Sequence, residues 1–131
     1  MEFFITLEEH SEEVQKSIIR ETSNFTLIEY AVRSQNPKYR AAAALNINVS
    51  KFQIEILSAD PDVNVREAVL QNKEKTTGDI IDIMLKDDET FGYENLIVNH
   101  PNVYKETLER YVKYHKNESL KFKAQQRLMY M

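Results

Sequence analysis

Few residues in this 131-residue chain have the types and spacing to do chemistry. Arg40 and Arg66 stand 26 positions apart, and a guanidinium at a repeated position can hold an anion or tie its helix to the preceding turn. Tying is expected, with Asp60 and Asp62 as partners for Arg66. Asn46, Asn72 and Asn99 form a second ladder. Each stands where a helix must stop, and Asn tolerates the left-handed backbone that ends one, so they are assigned to capping. Asp87, Asp88 and Glu89, with Asp82, offer oxygen ligands for a divalent cation. They lack the glycine-centred spacing of a calcium loop and read as a solvated junction. His10, His100 and His115 are scattered and form no HExxH pair for zinc. The chain has no Cys and no GxSxG elbow, and Gly78 and Gly92 stand alone rather than in a phosphate-binding loop. No residue is assigned to catalysis, a metal or a cofactor, and the expectation is a protein that is not an enzyme.

A C-terminal stripe carries more information. Tyr104, Leu108, Tyr111 and His115 recur at i, i+4, i+7 and i+11, one face of a helix, and Leu120, Phe122, Leu128, Met129, Tyr130 and Met131 follow. Two readings stand. The end folds back onto the stripe, or Tyr104, Tyr111, Leu128 and Tyr130 form an exposed apolar patch for a partner or for self-association.

The elements that must position these residues are helices. Two Gly and three Pro are too few for an all-β chain rich in turns. Alternating A and B helices are expected. The A helices run from after Ser11 to about Thr22, over 37–45, 62–71 and 89–98, and after Asn117; the B helices cover about 25–34, 51–59, 77–87 and 102–115. Thr6 and Ser50 open capping boxes, and Asn24, Thr76 and Asn117 are further N-caps. Asn36-Pro37, Asp60-Pro61 and His100-Pro101 break the chain between helices.

The helices repeat. Residues 39–46, YRAAAALN, return as residues 65–72, VREAVLQN, and more weakly as residues 92–99, GYENLIVN. Among the B helices, Val32, Leu57, Leu85 and Val112 are taken as equivalent. An acid precedes three of them and a base follows at i,i+4, the favourable order, in Glu29–Arg33, Asp82–Lys86 and Glu109–Lys113. The expected core is Ile18, Ile19, Leu27, Ala31, Ala43, Leu45, Phe52, Ile56, Leu57, Val69, Leu70, Ile80, Met84, Leu85, Leu96, Ile97, Leu108 and Val112, with Ala41–Ala44 and Ala68 allowing close approach of adjacent A helices.

A period of this length means stacked helical hairpins. The expected fold is all-α: a short right-handed α-solenoid of about 4–4.5 antiparallel hairpins, as one domain over 1–131, with repeats near 6–34, 35–59, 60–87 and 88–115 and a terminal half-repeat over 117–131. The residues resemble the HEAT-like α-solenoids, most closely the leucine-rich repeat variant. Residues 60–72, DPDVNVREAVLQN, with Thr76 and Leu85, look like a full copy of that motif. The copy from Asn36 to Leu57 lacks the leading acid, and the one from Asp88 to Val112 lacks the Arg. Such proteins are mostly scaffolds and binding surfaces, and the resemblance implies a protein-binding module.

Charge decides among partners. Residues 1–29 carry −5, residues 30–54 +4, residues 55–100 −7 and residues 101–131 +4, for a net −4. A nucleic-acid wrapper is normally basic along one face, which this banding disfavours. HEAT-like DNA glycosylases place aromatic residues, including Trp, in a basic cleft, and this chain has no Trp. A DNA-binding or glycosylase-like role therefore ranks below a small acidic inhibitor or immunity-type protein that blocks a basic nucleic-acid enzyme. The leading expectation is a scaffold that meets another protein through outward B-helix residues: Glu29, Arg33, Lys51, Glu55, Asp79, Asp82, Lys86, Glu106, Glu109 and Lys113. No apolar run reaches the roughly 20 residues of a membrane span, and the acidic start is not a secretory signal. With Cys absent, a cytoplasmic location is expected.

Overall fold

The structure, a computed structural model, describes residue 7 and residues 9–85 and 94–131. Among the described residues it contains nine α-helices and no strand. They are α1 (Glu12–Glu21), α2 (Phe25–Val32), α3 (Pro37–Ala44), α4 (Lys51–Ser58), α5 (Val63–Gln71), α6 (Gly78–Met84), α7 (Glu94–Val98), α8 (Lys105–Tyr114) and α9 (Glu118–Leu128). Thr6 and the run 86–93 lie outside the described residues, and with them the first capping box, the Asp87–Glu89 acids, Lys86 and Gly92.

Local chemistry sets the boundaries. Ser11, Asn24 and Asn117 each accept an amide of the first turn that follows. Ser50 accepts from Gln53 N while the Gln53 side chain accepts from Ser50 N, a complete capping box. The cap of α6 is Thr77, one residue beyond the Thr76 expected; Thr76 is buried instead. Asn36 caps α3 and Pro37 supplies its first turn, where a missing N–H costs nothing.

The chain divides into two compact units, residues 1–75 and 76–131. In the first, α3 packs against both α1 and α5, and α2 and α4 lie against α3 and α5. Ala42, Ala43, Ala44 and Ala68 are buried, so the small side chains let α3 and α5 approach closely, as expected. In the second unit α9 packs on α8 and α7.

Two polar ladders stitch the first unit. Arg40 Nη1 donates to Ser34 O at 2.8 Å and Arg66 Nη1 to Asp60 O at 2.6 Å, so each Arg does tie its helix to the turn six residues back. The partner expected for the Arg66 guanidinium, the Asp60 carboxylate, goes elsewhere. It takes Arg40 Nε at 2.7 Å and Nη2 at 3.1 Å, across one helical hairpin. That bidentate pair raises the Arg40 pKa above its ordinary value, the Asp60 hydrogen bond being the main cause. Asp62 caps α5 instead.

The Asn ladder works differently from a left-handed cap. Asn72 has φ −84°, an ordinary value. Its amide donates to Ala44 O at 2.8 Å and Asn46 O at 3.1 Å, and the Asn46 amide donates to Ile19 O at 2.7 Å and Thr22 O at 2.8 Å. Each Asn satisfies the carbonyls that the preceding A helix leaves open at its end. Each also receives a following amide, from Asn48 or Lys75. In the second unit His100, not Asn99, takes that receiving role: its Nδ1 accepts from Asn102 N at 3.0 Å, and it is buried while Asn99 is exposed.

Burial also corrects the B-helix register. The inward residues are Leu27, Ile28, Ala31 and Val32 in α2, and Gln53, Ile54, Leu57 and Ser58 in α4. Ile80, Ile81 and Met84 in α6 and Thr107, Leu108 and Tyr111 in α8 continue the pattern. The equivalent of Val32 is therefore Ser58, not Leu57, and the spacing becomes 26, 27 and 27. Phe52 and Ile56, expected in the core, are exposed: Gln53, Ile54, Leu57 and Ser58 take the inward face of α4, where the Gln53 amide is satisfied by Ser50 and Glu29. Ile18, Leu45, Leu85, Leu96 and Val112 are only half-buried. In the corrected frame Glu29, Glu55, Asp82 and Glu109 fall at one position.

Candidate functional site

In the first unit the outward side of α2 and α4 carries large apolar side chains. Phe25 is 67% exposed and Phe52 is 68% exposed, and Tyr30 and Ile56 stand out beside them in sequence. Tyr30 and Ile56 occupy the same repeat position, and Ile83 occupies it in α6 of the second unit, also exposed. Exposed single hydrophobic residues are ordinary; the same register position exposing one on three B helices is not. A shallow hollow of about 420 Å³ on α2 is lined by Phe25, Thr26, Glu29, Tyr30, Arg33 and Ser34.

The charged residues expected on this side are present. Arg33, Lys51 and Glu55 are exposed. Glu29 is half-buried and receives Gln53 Nε2 at 2.8 Å and Arg33 Nε at 2.5 Å. Those hydrogen bonds, Gln53 first and Arg33 second, hold the Glu29 carboxyl below the usual glutamate pKa, against an opposing effect of burial. The expected Glu29–Arg33 pair thus forms. On the other side of this unit a groove of about 380 Å³ runs over α1, α3 and the start of α5, rimmed by Lys16, Arg20 and Lys38 and floored by Ala41, Ala42 and Leu45. Lys38 is matched by Glu12 at 2.8 Å and Lys16 by Glu13 at 2.7 Å.

In the second unit Asp79, Glu106, Glu109 and Lys113 are exposed, and Asp82 is half-buried. Asp82 Oδ1 accepts Thr107 Oγ1 at 2.5 Å and Arg110 Nη2 at 3.1 Å. Asp79 accepts the Tyr104 hydroxyl at 2.9 Å, which raises the Tyr104 pKa. Lys113 lies 5.2 Å from the Tyr114 ring centroid. Asp79 and Asp82 are thus held by neighbours in their own unit, while Glu106 and Glu109 point to solvent.

The proposed C-terminal patch divides. Tyr111 is buried with Leu108, so the stripe on α8 is core rather than an open surface. Leu128 is half-buried and Tyr104 is fixed to Asp79. Tyr130 stays exposed, with Phe122, Met129 and Met131. Arg127 donates to Val98 O at 2.6 Å and ties α9 to the end of α7; burial lowers its pKa.

Sequence reasoning missed a cleft of about 480 Å³ in this second unit, lined by Asp82, Leu85, Glu94, Thr107, Arg110, Tyr111, Tyr114 and His115. His115 stacks on Tyr111 with centroids 5.0 Å apart, and its Nε2 lies 3.6 Å from Glu94 Oε1. Its Nδ1 accepts from Asn117 N at 3.0 Å, which leaves Nε2 as the nitrogen on the Glu94 side. The i,i+4 spacing of Tyr111 and His115 was legible; the return of Glu94 to them was not. Among the described residues no three His, Asp or Glu side chains gather as a metal site. No described helix is long and apolar enough to cross a membrane.

Comparison with protein-family models, characterised proteins and solved structures gave no match.

Proposed function

We propose that the chain is a non-enzymatic protein-binding module, a short right-handed α-solenoid of about four hairpins that grips a partner polypeptide on its outward B-helix side. The observation that carries this reading is the exposed set Phe25, Tyr30, Phe52 and Ile56 on α2 and α4. Three aromatic side chains and an isoleucine on two helices are a hot-spot composition, and the same two helices carry Glu29, Arg33, Lys51 and Glu55. The occupant that fits is a different protein's segment with apolar anchors and charges of both signs, since these charges are balanced.

A photo-crosslinking residue at position 52 should capture a discrete partner from cells, and the purified pair then gives an affinity. Phe52→Ser with Ile56→Ser should weaken that binding at least tenfold while melting within a few degrees of the parent, because both side chains are exposed, Phe52 at 68% and Ile56 at 45%. Equal affinity in the parent and the double variant would sink the reading. Concentration-dependent dimerisation on sedimentation, abolished by the same double variant, would replace the foreign partner with a second copy.

A further inference from the structure

We propose that the cleft of the second unit is a binding site for a guanidinium group. The cleft, at about 480 Å³, is of small-molecule size. Its lining carries two carboxylates, Asp82 and Glu94, and one guanidinium, Arg110. Arg110 reaches Asp82. Glu94 is enclosed, with its side chain only 17% exposed, and the group facing it is the His115 ring at 3.6 Å. His115 accepts the Asn117 amide at Nδ1, which leaves Nε2 as the ring nitrogen on the Glu94 side, beyond hydrogen-bond distance. Among the described residues no Lys or Arg pairs with Glu94. Among the described lining residues two carboxylates thus stand against one guanidinium, and Glu94 is partly screened from water, where a cation gains more than it would at the surface.

The walls choose the kind of cation. Tyr111 and His115 stand nearly parallel, 22° apart, and Tyr114 adds a third ring. A planar guanidinium stacks on such rings and presents two parallel N–H donors to a carboxylate, whereas an ammonium is a point charge that holds its water. Glu94 is the carboxylate that receives it. The group can arrive as a free small molecule or as an arginine side chain on a polypeptide. The site lies within the second unit and does not rest on Phe52 and its neighbours.

The test is an NMR titration of the full chain with methylguanidinium, methylammonium and N-acetyl-arginine methylamide, following the ring signals of Tyr111, Tyr114 and His115. Saturable shifts with methylguanidinium, weakened about tenfold in Glu94→Gln and unchanged in Glu109→Gln, are expected, because Glu109 is an exposed carboxylate of the same unit. Tighter binding of the arginine derivative than of methylguanidinium assigns the site to a polypeptide, and equal binding assigns it to a free guanidine. Absence of saturation overturns the proposal. So does equal weakening in both variants, which marks a diffuse charge effect, or equal affinity for methylammonium.

Discussion

Replacing Asp60 with Asn tests the reasoning about the first unit most directly. Asp60 is buried, its side chain 7% exposed, and that of its partner Arg40 16% exposed, so water screens the pair weakly. The carboxylate accepts two guanidinium bonds, at 2.7 and 3.1 Å, and the amide of Asp62 at 2.9 Å. Asn keeps the shape and one acceptor, so the Asp62 contact survives. It turns an NH₂ toward the guanidinium and leaves a buried cation without its counter-charge. Losing one charge-assisted bond and the ionic partner should cost about 3 kcal/mol. For a chain of this size that lowers the melting temperature by roughly 10 °C. Arg40→Met should cost a similar amount, since it orphans both the carboxylate and Ser34 O. In the double variant neither charge is left alone, so the two costs should fall short of adding by about 2 kcal/mol. Urea unfolding followed by circular dichroism gives all four corners of the cycle. A loss below about 1 kcal/mol for Asp60→Asn, or additivity within about 0.5 kcal/mol, would refute the claim that this pair joins consecutive hairpins.

Three further outcomes are expected. Asn72→Ala removes two donors to buried carbonyls and should destabilise by about 2 kcal/mol, whereas Asn99→Ala, at an exposed position, should stay within about 0.5 kcal/mol; comparable losses at the two sites would dismiss the ladder as drawn. Gly78→Ala places a methyl 2.7 Å from Asn102 O and from the Tyr104 ring, a backbone and an aromatic contact that cannot both yield, so it should lower stability by about 1–3 kcal/mol despite the better helix propensity of Ala. A thermal melt at or above that of the parent would show the contact to be loose. Glu29 titrates below its ordinary value, so its contribution is complete above roughly pH 4.3 and disappears as pH falls through the lowered folded value. The stability gap between the parent and Glu29→Gln should accordingly close on acidification from pH 6 to pH 3, and a gap independent of pH would remove the carboxylate from the account.

Most of the helical framework was legible because its signals are local. Caps such as Ser11, Asn24, Ser50 and Asn117 act within one turn, and each is used as its side-chain chemistry requires. Proline at position 37 likewise marks a boundary without reference to anything distant. The identity of the Arg40 and Arg66 ladder also followed from spacing. Its full wiring did not, since which carboxylate reaches which guanidinium depends on how one hairpin lies on the next. Asp60 can offer its carbonyl to Arg66 and its carboxylate to Arg40 only once they are stacked.

The slip in α4 shows what a repeat frame must be built on. Aligning Leu57 with Val32 maximised apolar agreement, and it put Phe52 and Ile56 inside. The Arg and Asn pairs both recur at 26, and a B helix that follows them should keep that period. Doing so puts Gln53 on the inward face, an apparent penalty for a polar residue. The structure removes the penalty: Gln53 closes the Ser50 cap and donates to Glu29 of the preceding B helix. A buried amide with both ends satisfied costs little, while two exposed apolar residues remain as an unsatisfied surface. Hydrophobicity alone thus misplaces Phe52 and Ile56, while Leu57 lies inside and Lys51 and Glu55 outside as expected. Phe52 and Ile56, placed in the core by composition, stand in solvent at 68% and 45% exposure.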